Sequence, residues 1–423
     1  MKKVTAVLLG AGQRGAGAYA PYALEYPDEF QIVAVAEPDA ARREEFKVLH
    51  NLEEKYCFKS WEDLLSESKL ADAALICTQD RMHFHPTMKA LEMGYHVLLE
   101  KPMSDNEKEC VLMGEAAKKY NRVLSVCYVL RYTPFYKAIK KIIESGEIGQ
   151  LMAIQQIENV AYWHQAHSFV RGNWRDSQET SPMILAKSCH DMDIISWLVD
   201  LECIKVSSFG SLGHFKEENA PKGAPKRCLD GCPKRDTCPY YAPRIYIDWR
   251  ESWEADVIRK VVSSDTSTPA LLKALREGPY GRCVYHCDNN VVDHQIVNLE
   301  FEKGVTASFT MCAFTYDGGR TLKIMGTKGQ IKGDMDTNHL EVIDFLTGTK
   351  KTYEFNGNAA GHGGGDLAIM RDFIERIKVD ELIEENNSAS LFVQSHVMAL
   401  AAEKSRVENT VINLKEYIEE LKK

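Results

Sequence analysis

The feature that most constrains the fold is a glycine-rich turn near the start of the chain. Val4–Leu9 is an apolar run with the length of one buried strand. Three glycines follow it at G-x-G-x-x-G spacing, Gly10, Gly12 and Gly15. In such a turn the first glycine allows a sharp bend, the second allows backbone to approach a pyrophosphate, and the third allows a helix to pack on the strand. That helix would direct free N–H groups and its positive dipole end at phosphates.

The residues after this turn favour a dinucleotide site over an ordinary glycine turn. A second apolar strand, residues 31–36, ends at Glu37. This residue lies about 20 positions beyond the last glycine, where a carboxylate meets the ribose hydroxyls of a dinucleotide. Glu37 favours NAD over NADP because a carboxylate repels a 2′-phosphate. We interpret Arg42 and Arg43, which follow closely, as the solvated start of a helix.

Length and charge limit the other classes of protein. A chain of 423 residues with 44% apolar residues predicts two globular domains. The formal net charge is −9 and there is no long basic stripe, so binding to nucleic acid or to a membrane surface has no electrostatic basis. The apolar stretches are shorter than the ~18 residues of a bilayer span, and the first strand lacks a signal-peptide cleavage pattern. We therefore expect a cytoplasmic protein.

Strand and helix patterns alternate through the first third of the chain. The predicted strands and helices fall at residues 60–68, 71–78, 83–93, 95–99, 104–120 and 123–129. Ser104 and Glu107 have the spacing of a capping box for the longest of these helices. Continuous apolar strands joined by helices are typical of a parallel sheet with both faces covered. The sequence thus predicts a doubly wound Rossmann domain over residues 1–130.

Ligands of such a sheet bind where the carboxyl ends of its strands meet. These ends hold Gly10, Glu37, Thr78, Glu100 with Lys101, and Tyr128 with Arg131. Lys101 precedes Pro102, and proline restricts the preceding residue to extended backbone, which fixes the direction of the lysine side chain. We interpret Lys101 as a proton-transfer residue, the alternative being a surface lysine at a turn.

Beyond residue 150 the strands alternate between apolar and polar residues, as in 297–301 and 305–315. This pattern predicts an α/β domain over residues 131–423, with an antiparallel sheet covered by helices on one face. A helix is predicted over 181–199, where Lys187, His190 and Asp193 would share one face. A lone histidine is more often a core residue, but a lysine and an aspartate in the same row favour a functional site.

The chain resembles the glucose–fructose oxidoreductase, inositol dehydrogenase and rhizopine-catabolism family, Gfo/Idh/MocA. The resemblance covers essentially the whole chain and rests on GAGQRG, AEPD, CTQDRMHFH, GYHVLLEKP and CHDMD. It implies a Rossmann domain followed by an α/β domain with a large, mostly antiparallel open sheet. It also implies an NAD-dependent oxidoreductase acting on a sugar, polyol or sugar derivative, and a homodimer or homotetramer.

The resemblance also implies roles for single residues. Lys101 and His190 would flank the carbon that exchanges hydride with the nicotinamide. The cofactor contacts would come from Gly10, Gly12, Gln13, Arg14, Gly15, Glu37, Thr78, His83, Glu100 and Lys101. Many relatives carry an aspartate four residues before the histidine, where this chain has Ala186. Lys187 points about 100° away around a helix, so it would hold a substrate hydroxyl or share the acid–base role of Lys101.

An aromatic and polar segment just before the histidine helix has the composition of a sugar site. The segment adds predicted substrate contacts to those of residues named above, and the resemblance adds His362. The full set is Tyr128, Arg131, Tyr162, Trp163, His164, Arg171, Trp174, Asp193 and His362. The alternative for this segment is an ordinary surface loop.

Five of the 12 cysteines cluster in an apparent insertion at about residues 213–290. Cys228, Cys232 and Cys238, with Cys283 or Cys287, have roughly the spacing of metal ligands. We expect a structural zinc ahead of an iron–sulfur cluster, because the insertion offers little core of its own; the alternative is reduced cysteines or an adventitious disulfide.

Two further functions stay open at this point. In the first, bound NAD would transiently oxidise a glycoside, permit elimination and be regenerated in place. In the second, the chain would bind nucleotide without catalysis. Net turnover of NAD separates the first alternative from a dehydrogenase.

Overall fold

The computed structural model describes residues 3–249, 253–355, 361–379 and 388–423. Its first sheet has six strands, all parallel: β1 (Val4–Leu9), β2 (Phe30–Ala36), β3 (Cys57–Phe58), β4 (Ala73–Ile76), β5 (His96–Leu99) and β6 (Leu124–Val126). Their order is β3-β2-β1-β4-β5-β6. This is the strand order of doubly wound dinucleotide folds, and it confirms the predicted parallel sheet.

Helices cover both faces of this sheet and connect it to the rest of the chain: α1 (Pro21–Glu25), α2 (Ala40–Leu49), α3 (Trp61–Leu64), α4 (Phe84–Glu92), α5 (Glu107–Lys119) and α6 (Pro134–Glu144). The predicted capping box of α5 is wrong. Asn106 caps this helix by accepting from the N–H groups of Lys108 and Glu109, at 2.9 and 3.3 Å. Ser104 instead hydrogen-bonds with the Glu109 carboxylate through its hydroxyl.

The second sheet has nine strands: β7 (Leu151–Ala161), β8 (Cys203–Ser211), β9 (His294–Phe301), β10 (Thr306–Thr315), β11 (Gly319–Gly326), β12 (Gly329–Asp334), β13 (His339–Asp344), β14 (Lys350–Glu354) and β15 (Ile412–Asn413). Their order is β14-β13-β12-β11-β7-β10-β9-β8-β15. All neighbours are antiparallel except β7 and β10. The predicted α/β class with a large, mostly antiparallel second sheet is therefore confirmed.

The remaining helices are α7 (Tyr162–His164), α8 (Met183–Ala186), α9 (Cys189–Val199), α10 (Trp253–Val262), α11 (Thr268–Glu277), α12 (Gly361–Val379), α13 (Ser388–Glu408) and α14 (Leu414–Leu421). Helix α13 packs on β8 and α9 and also on α5 and β6, so it joins the two sheets. Among the described helices, none is both long and apolar enough to cross a bilayer.

The second sheet leaves apolar side chains exposed on the face opposite α13. Phe209 is 59% exposed and Ile296 is 43% exposed, whereas their neighbours Ser208 and Val297 are buried. This alternation is the expected pattern for strands with one covered face. The homodimer or homotetramer and the division of the chain at residue 130 stay predictions.

The predicted helix over 181–199 is interrupted. It consists of α8 and α9, and Lys187 and Ser188 lie between them outside both helices. Lys187, His190 and Asp193 therefore do not form one row, and the shared face expected from their spacing is wrong. The lysine contacts Glu158 of the second sheet, and the aspartate contacts Arg131 in the segment after β6.

Candidate active site

The glycine turn has the shape that a pyrophosphate requires. Gly10 adopts a φ of +93°, and a Cβ there would lie 2.5 Å from the Cys77 carbonyl oxygen. A Cβ on Gly15 would lie 2.1 Å from the Gly10 carbonyl oxygen, whereas one on Gly12 would meet no protein atom within 4 Å. Gly10 and Gly15 are thus required by the fold. Gly12 faces open space, so a pyrophosphate can approach the protein backbone there.

Glu37 lies beside this turn, at the end of β2. It is buried, and its Oε2 accepts from the Ala11 N–H at 2.8 Å while Oε1 accepts from the Asp39 N–H at 3.0 Å. Arg42 reaches the same carboxylate at 3.1 Å, and Arg43 donates to the Glu37 carbonyl oxygen at 2.5 Å. Both arginines lie in the first turn of α2, as expected, and the Arg42 side chain is 54% exposed. Their guanidinium groups nevertheless contact Glu37, which the sequence did not indicate.

Arg14 connects the glycine turn to the strand end that carries the lysine. Its Nε lies 2.6 Å from Glu100 Oε1, and its guanidinium also contacts Asp366 of α12 at 2.8 Å and the Tyr19 hydroxyl. Tyr19 donates to the same Glu100 oxygen at 2.6 Å. Gln13, by contrast, is exposed. Tyr19 and Asp366 were not foreseen in the sequence, because neither belongs to a recognisable motif.

The Lys101–Pro102 corner is held from both sides. His83 is fully buried, with Nδ1 2.7 Å from the Pro102 carbonyl oxygen and Nε2 3.0 Å from the Thr78 carbonyl oxygen. The Met103 N–H donates to His396 of α13 at 2.7 Å. His83 therefore supports the corner, and its direct contact with a cofactor stays a prediction.

Lys101 itself crosses to the second domain. Its Nζ donates to the carbonyl oxygen of Ala186, at the end of α8, at 3.3 Å. Asp80, on the loop after β4, lies close enough that Lys101 and His83 oppose the rise that burial causes in the pKa of its carboxyl. Asp80 stands within the stretch CTQDRMHFH, but no spacing in that stretch distinguishes it as a site residue.

His190 lies in the first turn of α9. It is 9% exposed, and its ring meets the Tyr128 ring edge-on at 5.7 Å. Tyr128 is fully buried and hydrogen-bonds with His396, so its ring is held in place against the His190 ring. The direct substrate contact predicted for Tyr128 is therefore wrong, because its side chain has no surface at the pocket.

Arg131 and Asp193 form a buried ion pair with each other. Nε of the arginine lies 2.6 Å from Oδ2 of the aspartate, and both side chains are less than a tenth exposed. Ser395 of α13 donates to the same carboxylate at 3.2 Å. Burial raises the pKa of the Asp193 carboxyl, while the arginine opposes that rise. The pair joins α9 to the segment that follows β6, so the two charged groups satisfy each other instead of making the predicted substrate contacts.

A second ionic cluster lies under Lys187. Lys187 Nζ is 3.0 Å from Oε1 of Glu158, which is almost completely buried on β7. Arg320 of β11 stands opposite Glu158 in the strand register, contacts its Oε2 at 2.8 Å, and contacts Asp191 of α9 at 2.8 and 3.1 Å. Gln156 also donates to Asp191, at 2.6 Å. Sequence reasoning missed this cluster because its members come from three separate elements.

The aromatic segment before α8 packs largely on the chain between β8 and β9. Trp163 meets Trp249 at 4.7 Å, and Tyr162 is tilted by only 27° against the exposed Tyr316 at 6.3 Å. Trp174 is 43% exposed, and His164 is half-buried beside Trp163. This segment is therefore not a simple surface loop.

Arg171, also in this segment, lies among the residues between β8 and β9. It is fully buried and donates to the carbonyl oxygens of Arg282 and Tyr240 at 2.8 and 2.6 Å. Its predicted substrate contact is wrong, since its guanidinium holds the residues between β8 and β9 in place. The side chain of His362 lies outside the described residues.

The predicted zinc site has no support in the structure. Among the described residues, no group of three or more His, Cys, Asp or Glu side chains has the arrangement to hold a metal ion. The cysteine sulfurs turn to backbone instead: Cys228 toward the Arg282 carbonyl oxygen, and Cys287 toward that of Cys283. Burial raises the pKa of Cys283 to about 11.

This part of the chain also has a core, contrary to the argument for zinc. The described residues between β8 and β9 pack with the aromatic segment as an apolar cluster that includes Phe215, Tyr240, Ala242, Ile245, Tyr246, Leu275, Tyr280 and Val284. Cys228, Cys232, Cys238, Cys283 and Cys287 are all unpaired.

Comparison with known proteins identifies the family. The description "Oxidoreductase family, NAD-binding Rossmann fold" matches residues 4–128, and "Oxidoreductase family, C-terminal alpha/beta domain" matches residues 140–411. The chain belongs to the Gfo/Idh/MocA oxidoreductase family. It is accordingly an oxidoreductase with an NAD-binding Rossmann domain, as the sequence motifs predicted.

Individual members of the Gfo/Idh/MocA family are distant. The oxidoreductase YteT of Bacillus subtilis (strain 168) is 23% identical over 370 residues, which cover 83% of this chain and 84% of that protein. Inositol 2-dehydrogenase of Corynebacterium glutamicum (strain R) is 28% identical over 176 residues, 41% of this chain and about half of that enzyme, 48%. The structure of levoglucosan dehydrogenase with NADH and L-sorbose covers 98% of this chain and 99% of its own, with a TM-score of 0.70 at 18% identity, and shows the shared fold.

Proposed function

We propose that this oxidoreductase is an NAD-dependent dehydrogenase of a sugar or polyol. The observation that carries the proposal is the reach of Lys101 from the first domain to Ala186 of the second, at 3.3 Å. A lysine at the carboxyl edge of a Rossmann sheet is within the region where a nicotinamide binds, and Ala186 leads directly to the segment with His190. The inositol dehydrogenase among the relatives supports the same substrate class.

The cofactor side fits a dinucleotide. Gly12 leaves open space at the turn. Glu37 lies buried at the end of β2, where its Oε2 accepts from the Ala11 N–H of the turn and its Oε1 accepts from the Asp39 N–H. We infer that residues 10–15, Glu37, Thr78 and Glu100 hold NAD, and that residues 131–423 hold the substrate. When bound, NAD supplies the acceptor for a hydride.

The chain's own part in the reaction is to handle the second hydrogen of the carbinol. Oxidation of a carbinol removes a hydride from carbon and a proton from oxygen, so a base must lie within hydrogen-bond distance of the hydroxyl. In this proposal Lys101 accepts that proton, and His190 holds the same oxygen from the opposite domain. The buried Glu100, bonded to Arg14, Tyr19 and the Lys101 N–H, keeps the lysine backbone in place.

The test is formation of NADH, followed by absorbance, with a panel of neutral sugars and polyols that includes myo-inositol, levoglucosan and D-glucose. We expect steady formation of NADH with at least one member of the panel. Asp344→Asn, a change at an exposed turn of the second sheet, serves as the control and should keep the wild-type rate. NAD binding without NADH formation from any alcohol of the panel would contradict the proposal.

A further inference from the structure

The ionic cluster under Lys187 is balanced in charge. Lys187 and Arg320 contribute two cations, and Glu158 and Asp191 contribute two carboxylates. The cations are not free: each lies within 3.0 Å of a carboxylate oxygen, and Glu158 and Asp191 are almost completely buried. Burial and the nearby Asp191 raise the pKa of the Glu158 carboxyl, while Arg320 and Lys187 oppose that rise.

Lys187 is the most exposed of the four charged members of this cluster. Its side chain is 25% exposed, compared with 1% for Glu158 and 11% for Arg320. It directly follows Ala186, the residue that Lys101 contacts, so the two lysines approach one corner of the second domain. An ammonium has three donors, and Glu158 takes one of them, which leaves donors for a ligand.

His164 lies near Lys187, whose charge acts on its ring. It is half-buried and stacks beside Trp163 at 5.5 Å. Burial, and to a smaller degree Lys187, lower its pKa to about 3. The ring is therefore neutral at physiological pH, with one donor and one acceptor nitrogen, which suits a hydroxyl rather than a carboxylate.

We propose that Lys187, positioned by Glu158, is a specificity-determining residue that binds a hydroxyl of an uncharged sugar or polyol, away from the reacting carbon, and selects against acidic sugars. This inference rests on the proposed function. Glu158 is a positioning residue: it touches the lysine and not the substrate.

The charge balance carries the choice between neutral and acidic substrates. A substrate carboxylate entering the pocket would add a negative charge to a cluster whose cations are already paired. Asp336 and Tyr136, which also lie near Glu158 and Arg320, add no cation, and burial raises the pKa of Asp336 to about 6. Lys101 lies at the neighbouring Ala186, where it is the proton acceptor of the proposed function and not part of the paired cluster. A neutral hydroxyl adds no charge and needs only the donors and acceptors that Lys187 and His164 offer.

The same balance provides a charge switch for the test. Glu158→Gln removes one carboxylate and leaves two cations with one, so the pocket gains a net positive charge. Lys187→Met removes the proposed donor. Glu300→Gln is the matched control, because Glu300 also pairs with a lysine, Lys205, at 2.9 Å, but on the exposed part of β9.

The measurement compares D-glucose with D-glucuronate and D-galactose with D-galacturonate, as kcat/KM for NADH formation and as equilibrium binding to the NADH-loaded enzyme by calorimetry. We expect the wild type and Glu300→Gln to favour the neutral sugar of a pair at least tenfold, and Glu158→Gln to lower this ratio at least tenfold. Lys187→Met should raise KM for the neutral sugar about tenfold while NAD affinity stays within twofold.

The possible negative results distinguish the proposed dehydrogenase from the proposed role of Lys187. Binding of these sugars without NADH formation would contradict the proposed dehydrogenase, and the binding ratios would still test Lys187. A wild-type preference for the uronates, a ratio unchanged within twofold in Glu158→Gln, or no binding of either pair would overturn the inference. If Glu158→Gln does not fold, an unchanged KM in Lys187→Met overturns it.

Discussion

The two sides of the site differ in how local their contacts are. On the cofactor side, short motifs make much of the geometry, as in Gly10 with Gly15 and Glu100 with the Lys101 N–H, and Asp366 and His396 add support from distant helices. On the substrate side, β7, α9 and β11 bring together Glu158, Asp191 and Arg320. Sequence motifs therefore determine the first side, whereas strand register determines the second.

The largest expected effect comes from the residues where the two sides meet. Lys101→Met should lower single-turnover NADH formation by about a hundredfold or more, because general acid–base catalysis is lost, while NAD affinity stays nearly unchanged. His190→Asn should act in the same direction.

The double variant Lys101→Met/His190→Asn should be little slower than either single variant, since groups that act as a unit are not additive. Multiplicative losses would show that the two residues act separately, and would break the claim that the sides form one proton-handling unit.

A second prediction separates ligand space from packing within the cofactor side. Gly12→Ala should weaken NAD binding about tenfold or more, yet change the free energy of unfolding by less than about 0.5 kcal/mol, because its Cβ meets no protein atom within 4 Å. Gly15→Ala should destabilise the protein by about 1–3 kcal/mol, since its Cβ would lie 2.1 Å from a carbonyl oxygen. Calorimetric titration measures the NAD affinity, and urea unfolding measures the free energy of unfolding. Equal effects of the two variants on stability would contradict the assignment of Gly12 to ligand space and Gly15 to packing.

A third prediction concerns the helix that joins the two sides. Burial lowers the pKa of His396 to about 3, so its ring is neutral in the folded protein above that pH, whereas in the unfolded chain it gains a proton below about pH 6.5. The unfolded state then binds more protons, and stability falls as the pH decreases from 6.5 toward 3.

The matched variants are His396→Gln and, on an exposed position, His85→Gln. In the first, the loss of unfolding free energy between pH 6.5 and 5 should be smaller than in the wild type by about 1–2 kcal/mol. The second should keep the wild-type slope. An unchanged slope in His396→Gln, measured by urea unfolding, would contradict a neutral buried ring.

The smallest expected effect concerns cofactor choice. Glu37 should accept from the ribose hydroxyls of NAD, so the wild type should bind NAD more tightly than NADP. Glu37→Ala leaves Arg42 unpaired at the rim and should shift the ratio of the two dissociation constants toward NADP by about tenfold, or about 1.4 kcal/mol. Arg42→Ala is the control and should keep the preference for NAD. Equal or tighter binding of NADP by the wild type, followed by protein fluorescence, would contradict the role of Glu37.

The limits of the sequence follow the same division. The strand β1 has the predicted bounds, and Thr133 and Pro134 start α6 as their types require. These features depend on neighbours in the chain, so a pattern can reveal them.

The helix break at Lys187 and the Glu158–Arg320 pair depend on tertiary contacts instead. A periodic pattern over 181–199 contains no sign that Lys187 leaves the helix to meet a carboxylate on β7. The zinc prediction was wrong for a related reason. Cysteine spacing shows only how close the residues are along the chain, whereas in the fold the sulfurs of Cys228 and Cys287 turn toward separate carbonyl oxygens.

The most direct test of the account is a single turnover of the NAD-loaded wild type with the best neutral sugar of the panel, followed by absorbance of NADH in a rapid-mixing instrument. We predict that NADH rises once, in an amount equal to the oxidised sugar, and persists, and that Lys101→Met slows this rise by about a hundredfold. A signal that rises and returns to zero while a glycoside is cleaved, or a wild-type rate in Lys101→Met, would contradict a dehydrogenase that uses Lys101.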